Sequence, residues 1–368
     1  MGEWRFNIKI SDCLNIMYGK DQKLVEDNDK GIYPILGTGG IMGYAKRFLF
    51  DKPSVLIGRK GTIDEPQYMD SPFWTIDTLF YTDIFSENDT KYLYYTFQTI
   101  PWKKYNEATG VPSLASSTIG KIKISLPVKK PEQQKIAEIL TTIDEAIAKT
   151  RALIEKYTNV KVGMMQDLLG SGNEIFLGNN KYFVINPKIL SLPNNFYYID
   201  LESVIAGNLI KKEIIMKINA PSRAQRLLKP NDILFQMVRP YQQNNYFFKN
   251  EFDLQSVAST GYAQIRTSQN PEFLYYALHT EKVLRNVITK CTGSNYPAIN
   301  STELKRVSVI LPSIEEQDMI VKQLTAADQK IQTECNYLAK LQNIKQGLMQ
   351  DLLTNTVSVD TLLSKGRP

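Results

Sequence analysis

The sequence predicts an α+β fold in which two globular domains are separated by two long antiparallel coiled-coil helices, related by a pseudo-two-fold internal repeat. Three observations carry this. One 39-residue stretch has the apolar spacing of a long helix that needs a partner. A second stretch repeats it position by position. The β-rich segments preceding the two helices repeat each other in order, with looser agreement.

The first helical stretch is Pro131 to Leu169, with no internal proline and Gly163 as its only glycine. Apolar residues fall at Ile136, Leu140, Ile143, Ile147, Ile154, Tyr157, Met164 and Leu168. Counting the polar Thr150 and Lys161, the steps alternate between three and four residues, the period of a coiled-coil seam. At ~1.5 Å per residue such a helix is roughly 60 Å long. A single apolar stripe of that length must be covered.

The second stretch, Glu315 to Leu353, supplies the cover. A shift of 184 residues maps the first seam onto Ile320, Leu324, Ala327, Ile331, Leu338, Leu341, Leu348 and Leu352. The polar interruptions recur as Glu334 and Lys345. Glu132-Gln133 at the start recurs as Glu316-Gln317, and Met165 to Leu169 (MQDLL) recurs as Met349 to Leu353, without a gap. Shared amphipathicity explains a matching stripe, but not matching interruptions and ends.

The chain therefore divides into a first domain (1–128), a first helix (129–170), a second domain (171–312), a second helix (313–355) and a short tail (356–368). In the first domain, alternating Phe6, Ile8 and Ile10 begin a strand. Residues 32–50 give a strand, a glycine turn at Gly37–Gly40 and an aromatic-rich strand. SVLIGRKGTI (54–63) is a buried strand ending in a basic turn, WTIDTLFYT (74–82) is a further β segment, and KYLYYTFQTI (91–100) is helical. IKISLP (122–127) leads into the long helix. In the second domain VLIGRKG corresponds to ILFQMVRP (233–240), YLYYTFQT to FLYYALHT (273–280), TGVPSL (109–114) to TGSNYPAI (292–299), and IKISLP to VSVILP (307–312). The Gly- and Asn-rich segment 170–180 reads as the linker.

Composition bounds the chemistry. The 43% hydrophobic content suits a globular chain, and no run of about 18 apolar residues predicts a membrane span. Cys13, Cys291 and Cys335 are isolated, which points to a reduced cytoplasmic setting without structural zinc. A net charge of +6 is compatible with nucleic acid but mild. His279 is the only histidine, so triads and two-histidine metal sites have no partners, and a structural role suits it best. Gly37-Thr38-Gly39-Gly40 lacks the Lys-Ser/Thr of a phosphate loop and reads as a β turn. Asn270-Pro271-Glu272-Phe273 superficially resembles an amino-methyltransferase signature, but Asn as helix cap with Pro in the first turn explains it. Catalysis by this chain alone is not expected.

The basic and amide-rich tips are the candidate functional residues. In the first copy they are Lys46, Arg47, Arg59, Lys60, Lys103 and Lys104; in the second, Arg223, Arg239, Tyr241, Gln242, Asn244, Ser294, Asn295 and Tyr296. Lys and Arg contact phosphates, while Arg, Gln and Asn can pair bidentately with purine edges in the major groove. A single such cluster is usually a solvated loop. Recurrence at matching places in two divergent copies favours DNA.

With the LP-x(3–4)-EQ elements (Leu126-Pro127 to Gln133, Leu311-Pro312 to Gln317), the QDLL ends and the TG-x-P elements in duplicate, the chain resembles the specificity subunits of type I restriction-modification systems over nearly its whole length. The resemblance implies that each variable domain recognises one half of a split double-stranded DNA site. It implies that the helices act as a ruler for the unread gap and dock two methylation subunits. It further implies no cofactor on this chain, with S-adenosylmethionine on the methylation partners, ATP and Mg2+ on restriction and translocation subunits, and a bacterial or archaeal cytoplasm. The chain starts almost directly in its first variable domain, so any further terminal segment is expected to be short. Because the tips diverge, no base-contacting residue transfers by motif.

Three alternatives stay open on sequence alone: a coiled-coil scaffold with two protein-binding domains, a stand-alone DNA methyltransferase, and the same DNA role in a methylation-only complex.

Overall fold

The computed structural model describes residues 3–189, 191–249 and 252–358; the tail expected at 356–368 lies mostly outside them. Seven α-helices are present among the described residues: α1 Thr90–Gln98, α2 Ser116–Lys121, α3 Lys130–Leu168, α4 Pro271–Ala277, α5 Glu281–Thr289, α6 Ser301–Leu304 and α7 Ile314–Leu353. The chain forms two compact units, Met1–Ala152 with Asn336–Pro368, and Leu153–Cys335. Each unit thus holds one β-rich domain with part of α3 and part of α7.

In the first unit a four-stranded sheet runs in the order Leu14–Tyr18, Leu79–Ile84, Ser54–Gly58, Gln67–Met69. A three-stranded sheet orders Gly40–Ala45, Tyr33–Gly37 and Trp74–Thr75. Trp4–Lys9 pairs antiparallel with Lys123–Pro127. The strand Ser54–Gly58 is buried throughout, as its unbroken apolar run requires. Gly37–Gly40 closes a β-hairpin, in agreement with the turn reading. The expected single segment 74–82 is two strands in different sheets, because the polar Asp77-Thr78 turn interrupts it. The core gathers Phe80, Tyr92, Phe97 and Trp102 with Ile136 and Leu140 of α3 and Leu352 and Leu353 of α7. Each such side chain contributes about 1.5–3 kcal/mol on burial.

The second unit repeats the four-stranded order as Phe183–Ile185, Tyr262–Thr267, Ile233–Gln236, Tyr246–Phe247. Its other sheet keeps the parallel pairing seen between Tyr33–Gly37 and Trp74–Thr75, here between Asn195–Ile199 and Ser256–Ser259, and adds the edge strand Ala224–Leu227. The segment expected to be a linker contains the strand Asn173–Phe176, paired antiparallel with Ser308–Leu311. It is the counterpart of Trp4–Lys9. Flanking Gly and Asn conceal a four-residue strand in the sequence. The core joins Phe183, Ile265, Phe273 and Val287 to Leu169, just past the end of α3, and to Ile320 and Leu324 of α7.

Helix starts follow local chemistry. Asp89 caps α1 by accepting from Tyr92 N at 2.8 Å, and Asn270 caps α4 by accepting from Phe273 N at 3.0 Å, with Pro271 in the first turn. Ser313 and Glu316 form a reciprocal capping box on α7. The repeated glutamines are fully buried. Gln133 Oε1 accepts from Asp89 N at 2.8 Å, while its Nε2 donates to Pro127 O at 2.9 Å. Gln317 Oε1 accepts from Asn270 N at 3.1 Å, and its Nε2 donates to Pro312 O at 3.0 Å. Each therefore ties the start of a long helix to the cap of α1 or α4.

Within the first unit, Asp144 of α3 meets Lys345 of α7, while Ile136 and Leu140 share a core with Leu352 and Leu353, so the helices run antiparallel. The second unit shows the same sense: Lys161 meets Asp328, and Leu168 and Leu169 share a core with Ile320 and Leu324. The expected seam residues are all buried or half-buried, including Ile143, Ile147, Ile154, Tyr157 and Met164 on α3 and Ala327, Ile331, Leu338, Leu341 and Leu348 on α7.

Candidate nucleic-acid interface

A strand with a buried apolar run, emerging at the domain surface, must turn sharply. In the first domain Ser54–Gly58 runs into Arg59-Lys60-Gly61, where Gly61 takes φ +90°, a left-handed conformation that suits glycine. The turn is held against the TGVPSL loop: Gly61 N donates to Pro112 O at 2.9 Å, and Leu114 N donates to Arg59 O at 2.9 Å. The one-turn 3-10 helix Trp102–Tyr105 leads into that loop, and buried Trp102 anchors it by donating from Nε1 to Phe97 O at 2.9 Å. One tip therefore carries Arg59, Lys60, Lys103 and Lys104.

These four cations differ in freedom. Arg59 Nη1 donates to Asp77 O at 3.0 Å, and the guanidinium lies 5.5 Å from the Tyr18 ring centre, so it is tied to the domain's own surface. Lys103 Nζ lies 2.7 Å from Asp64, and that hydrogen bond and charge hold the Asp64 carboxyl below its usual range. Lys60 and Lys104 are exposed, and among the described residues no carboxylate pairs with either. Lys46, paired with Asp27 at 2.7 Å, and exposed Arg47 follow the strand Gly40–Ala45, on the other sheet.

The second domain builds the same joint with different side chains. Arg239 N donates to Pro297 O at 2.7 Å, and Ile299 N donates to Met237 O at 3.0 Å. These bonds place Pro297 where Pro112 stands, and Arg239 where Gly61 stands rather than at the place of Arg59. Arg239 nonetheless takes φ +53°, and Gln243 takes φ +50°. The Arg239 guanidinium lies 4.3 Å from the Tyr296 ring centre. Tyr241, Gln242, Ser294, Asn295 and Tyr296 are exposed around it. Arg223 belongs to the other sheet, just before the edge strand Ala224–Leu227, with its carbonyl accepting from Thr260 N.

A buried amide network shapes the loop between Arg239 and Asn245. Gln236 Nε2 donates to Gln242 Oε1 at 3.0 Å, and Gln236 Oε1 accepts from Asn244 N at 2.9 Å. Gln236 N donates to Asn245 Oδ1 at 2.8 Å, which turns the Asn245 amide nitrogen toward His279 Nε2 at 3.2 Å. Asn244 Oδ1 is already engaged by Ala206 N at 3.0 Å. Burial pushes the His279 pKa down, and a neutral ring with Nδ1 donating to Tyr275 O at 2.7 Å satisfies both contacts. Both ring nitrogens of His279 are thus engaged within the domain. Gln236 is the residue that sequence reasoning missed; a lone amide closing the run Ile-Leu-Phe was its only signal.

Together the duplicated domains, each with a polar tip on one strand-to-loop joint, and the paired helices define a protein that carries two related recognition modules. The chain belongs to the family described as type I restriction modification DNA specificity domain, which matches it twice, over residues 1–157 and 173–343. Its function is accordingly DNA-sequence specificity in a type I restriction-modification system. It is 22% identical to the type I restriction enzyme MjaVIII specificity subunit of Methanocaldococcus jannaschii, over 96% of this chain and 93% of that protein. The fold is similar to the type I restriction-modification S subunit from M. genitalium, at 18% identity and TM-score 0.66, covering 96% of each chain. It is also similar to a chain from a type I restriction-modification structure concerned with complex assembly and conformational transition, at 13% identity and TM-score 0.55, covering 96% of this chain and 97% of that one.

Proposed function

We propose that residues 1–128 and 171–312 are target-recognition domains that read the two parts of a split double-stranded DNA site. The carrying observation is the joint that recurs in both, a strand exit held by a backbone bond to Pro112 or Pro297, with lysines exposed around the first and Tyr241, Asn295 and Tyr296 around the second. A shared scaffold with divergent tips suits two readers of different sequences. Lys60 and Lys104 would neutralise phosphates, and the Arg239, Tyr241 and Asn295 cluster would face base edges. The scaffold alternative accounts for the helices but not for these tips.

Residues 129–170 and 313–355 would dock two methylation subunits. In each unit a groove opens along the MQDLL end of a long helix. Met165, Gln166 and Leu169 line it beside His279 and Thr280; Met349, Gln350 and Leu353 line it beside Gln98 and Thr99. The matching MQDLL linings, in grooves whose other walls differ, suit two copies of one partner. This chain would be non-catalytic, with S-adenosylmethionine on the methylation subunits and ATP and Mg2+ on any restriction subunits. No helix among the described residues is long and apolar enough to cross a membrane, and a cytoplasmic setting fits the partners.

The test is DNA binding by the complex reconstituted with its methylation partner across a salt series. Lys60→Ala with Lys104→Ala should weaken binding and reduce the salt slope by about 2, one per phosphate contact, with assembly intact. Unchanged affinity and slope would remove these residues from the interface.

A further inference from the structure

We propose that Arg239 is a specificity-determining residue that reads one guanine in the part of the site assigned to the second domain. The inference rests on the DNA-reading function above and adds which residue reads and what it reads. Its grounds lie in how the loop holds this side chain.

Arg239 occupies a backbone conformation that a residue with a Cβ disfavours, and its counterpart in the first domain is glycine. The fold therefore tolerates glycine at this joint, and nothing in the turn requires a large cation. The Nε of Arg239 is also buried without a hydrogen-bond partner. Two unfavourable features coincide at one residue. Such coincidences persist where the surrounding structure over-determines them, and they gather at functional sites. Here the over-determination is visible: the bond to Pro297 O fixes the main chain, the Gln236 amide network fixes the following turn, and Tyr296 underlies the guanidinium.

Among the described residues no carboxylate lies within ion-pair distance of Arg239, unlike Arg266, Arg285 and Arg306 of the same domain. Its charge is uncompensated and its plane is pre-set. A planar fork held over a ring suits the O6 and N7 acceptors that guanine presents side by side in the major groove. A phosphate contact would need neither the strained backbone nor the fixed plane. In the first domain Arg59 is spent on Asp77 and Tyr18, so the equivalent reader there is not this residue type at this place.

The experiment uses the full chain co-expressed with its methylation partner in a methylation-free host, followed by mapping of methylated sites and DNA binding by the purified complex. Arg239→Ala should relax one guanine in one part of the motif and leave the other part intact. Specific affinity should fall roughly 5- to 150-fold, with non-specific binding nearly unchanged. Arg239→Lys should not restore the guanine requirement, because an ammonium lacks the fork. Arg239→Gly, which suits the left-handed backbone, should give the same relaxed motif in a chain at least as stable, so misfolding cannot account for it. Uniform weakening on all sequences with a salt slope reduced by about 1 and an unchanged motif would identify a phosphate contact and overturn the proposal. If the unaltered complex methylates a split motif with no guanine in one of its parts, and Arg239→Ala changes nothing, the proposal fails while the two-part reading stands.

Discussion

Lys345 of α7 sets its Nζ 2.7 Å from Asp144 Oδ1 of α3, and Lys161 repeats this against Asp328 at 2.6 Å, with the helices exchanged. The same carboxylates accept from tyrosine hydroxyls: Tyr95 OH to Asp144 at 2.9 Å, and Tyr276 OH to Asp328 at 2.7 Å. Burial raises the pKa of both phenols, which keeps them as donors. Each cluster therefore links α1 or α4 to both long helices. The two lysines are two of the four polar positions that interrupt the apolar seam, with Thr150 and Glu334. A polar residue at a seam position specifies register, and here it selects one antiparallel alignment in which each lysine meets the aspartate of the other helix.

Lys345→Ala should destabilise the chain by about 1–2 kcal/mol, since Asp144 keeps its tyrosine and is about one-third exposed. Urea unfolding of Lys345→Ala, Asp144→Asn and the double variant should give a coupling of about 0.5–2 kcal/mol. Strictly additive losses would show that the pair does not act as a unit.

Gln133→Ala should cost about 2 kcal/mol, because it leaves the Asp89 amide and the Pro127 carbonyl without their shared partner. Gln317→Ala should behave alike through Asn270 and Pro312. Hydrogen exchange at the first turns of α1 and α4 checks this directly. Unchanged protection there would reject the stapling role.

Residues that repeat were legible in the sequence; the reasons for their repetition were not. The seam and the EQ and QDLL ends could be matched by register, because helical periodicity is written along the chain. That Gln133 and Gln317 are buried staples depends on α1 and α4 arriving beside them, which no local pattern encodes. The strand Asn173–Phe176 was hidden because its pairing partner, Ser308–Leu311, lies more than a hundred residues away. At the tips the basic residues were visible by type. Their grouping was not, since it follows from backbone bonds that hold the Pro112 loop against Arg59-Lys60-Gly61 and the Pro297 loop against Arg239, where Tyr296 meets the guanidinium.

The partly buried His279 makes stability fall on acidification. Its pKa in the fold lies below the ordinary value of 6.5, so the unfolded chain binds the proton more readily. The contribution is complete above pH 6.5 and declines as pH drops through that value, levelling once the folded protein is protonated too. His279→Gln retains a donor for Tyr275 O and an acceptor for Asn245. It should flatten the change in urea midpoint between pH 7.5 and 5.5, and an unaltered slope would exclude His279 as its source.

Asp232 is fully buried and accepts from Arg266 Nε at 2.7 Å and Nη2 at 2.8 Å, from Gln264 Nε2 at 2.6 Å and from Lys229 N at 2.7 Å. Asp232→Ala leaves the Arg266 guanidinium uncompensated and should cost about 3 kcal/mol, the lower end for a buried pair because Arg266 is one-third exposed. Asp232 stands at the start of the strand Ile233–Gln236, whose other end leads to Arg239, so DNA specificity in the surviving folded fraction should be unchanged. A changed motif would place this pair at the interface.

The central claim is that the two domains of one chain read two parts of one site. The most direct measurement is genome-wide mapping of N6-methyladenine after co-expression with the methylation partner in a methylation-free host. Two such readers yield methylation at a single split motif, two short specific parts around a fixed run of unspecified bases. A continuous motif, or no new methylation with the partner shown to be expressed and bound, would contradict it.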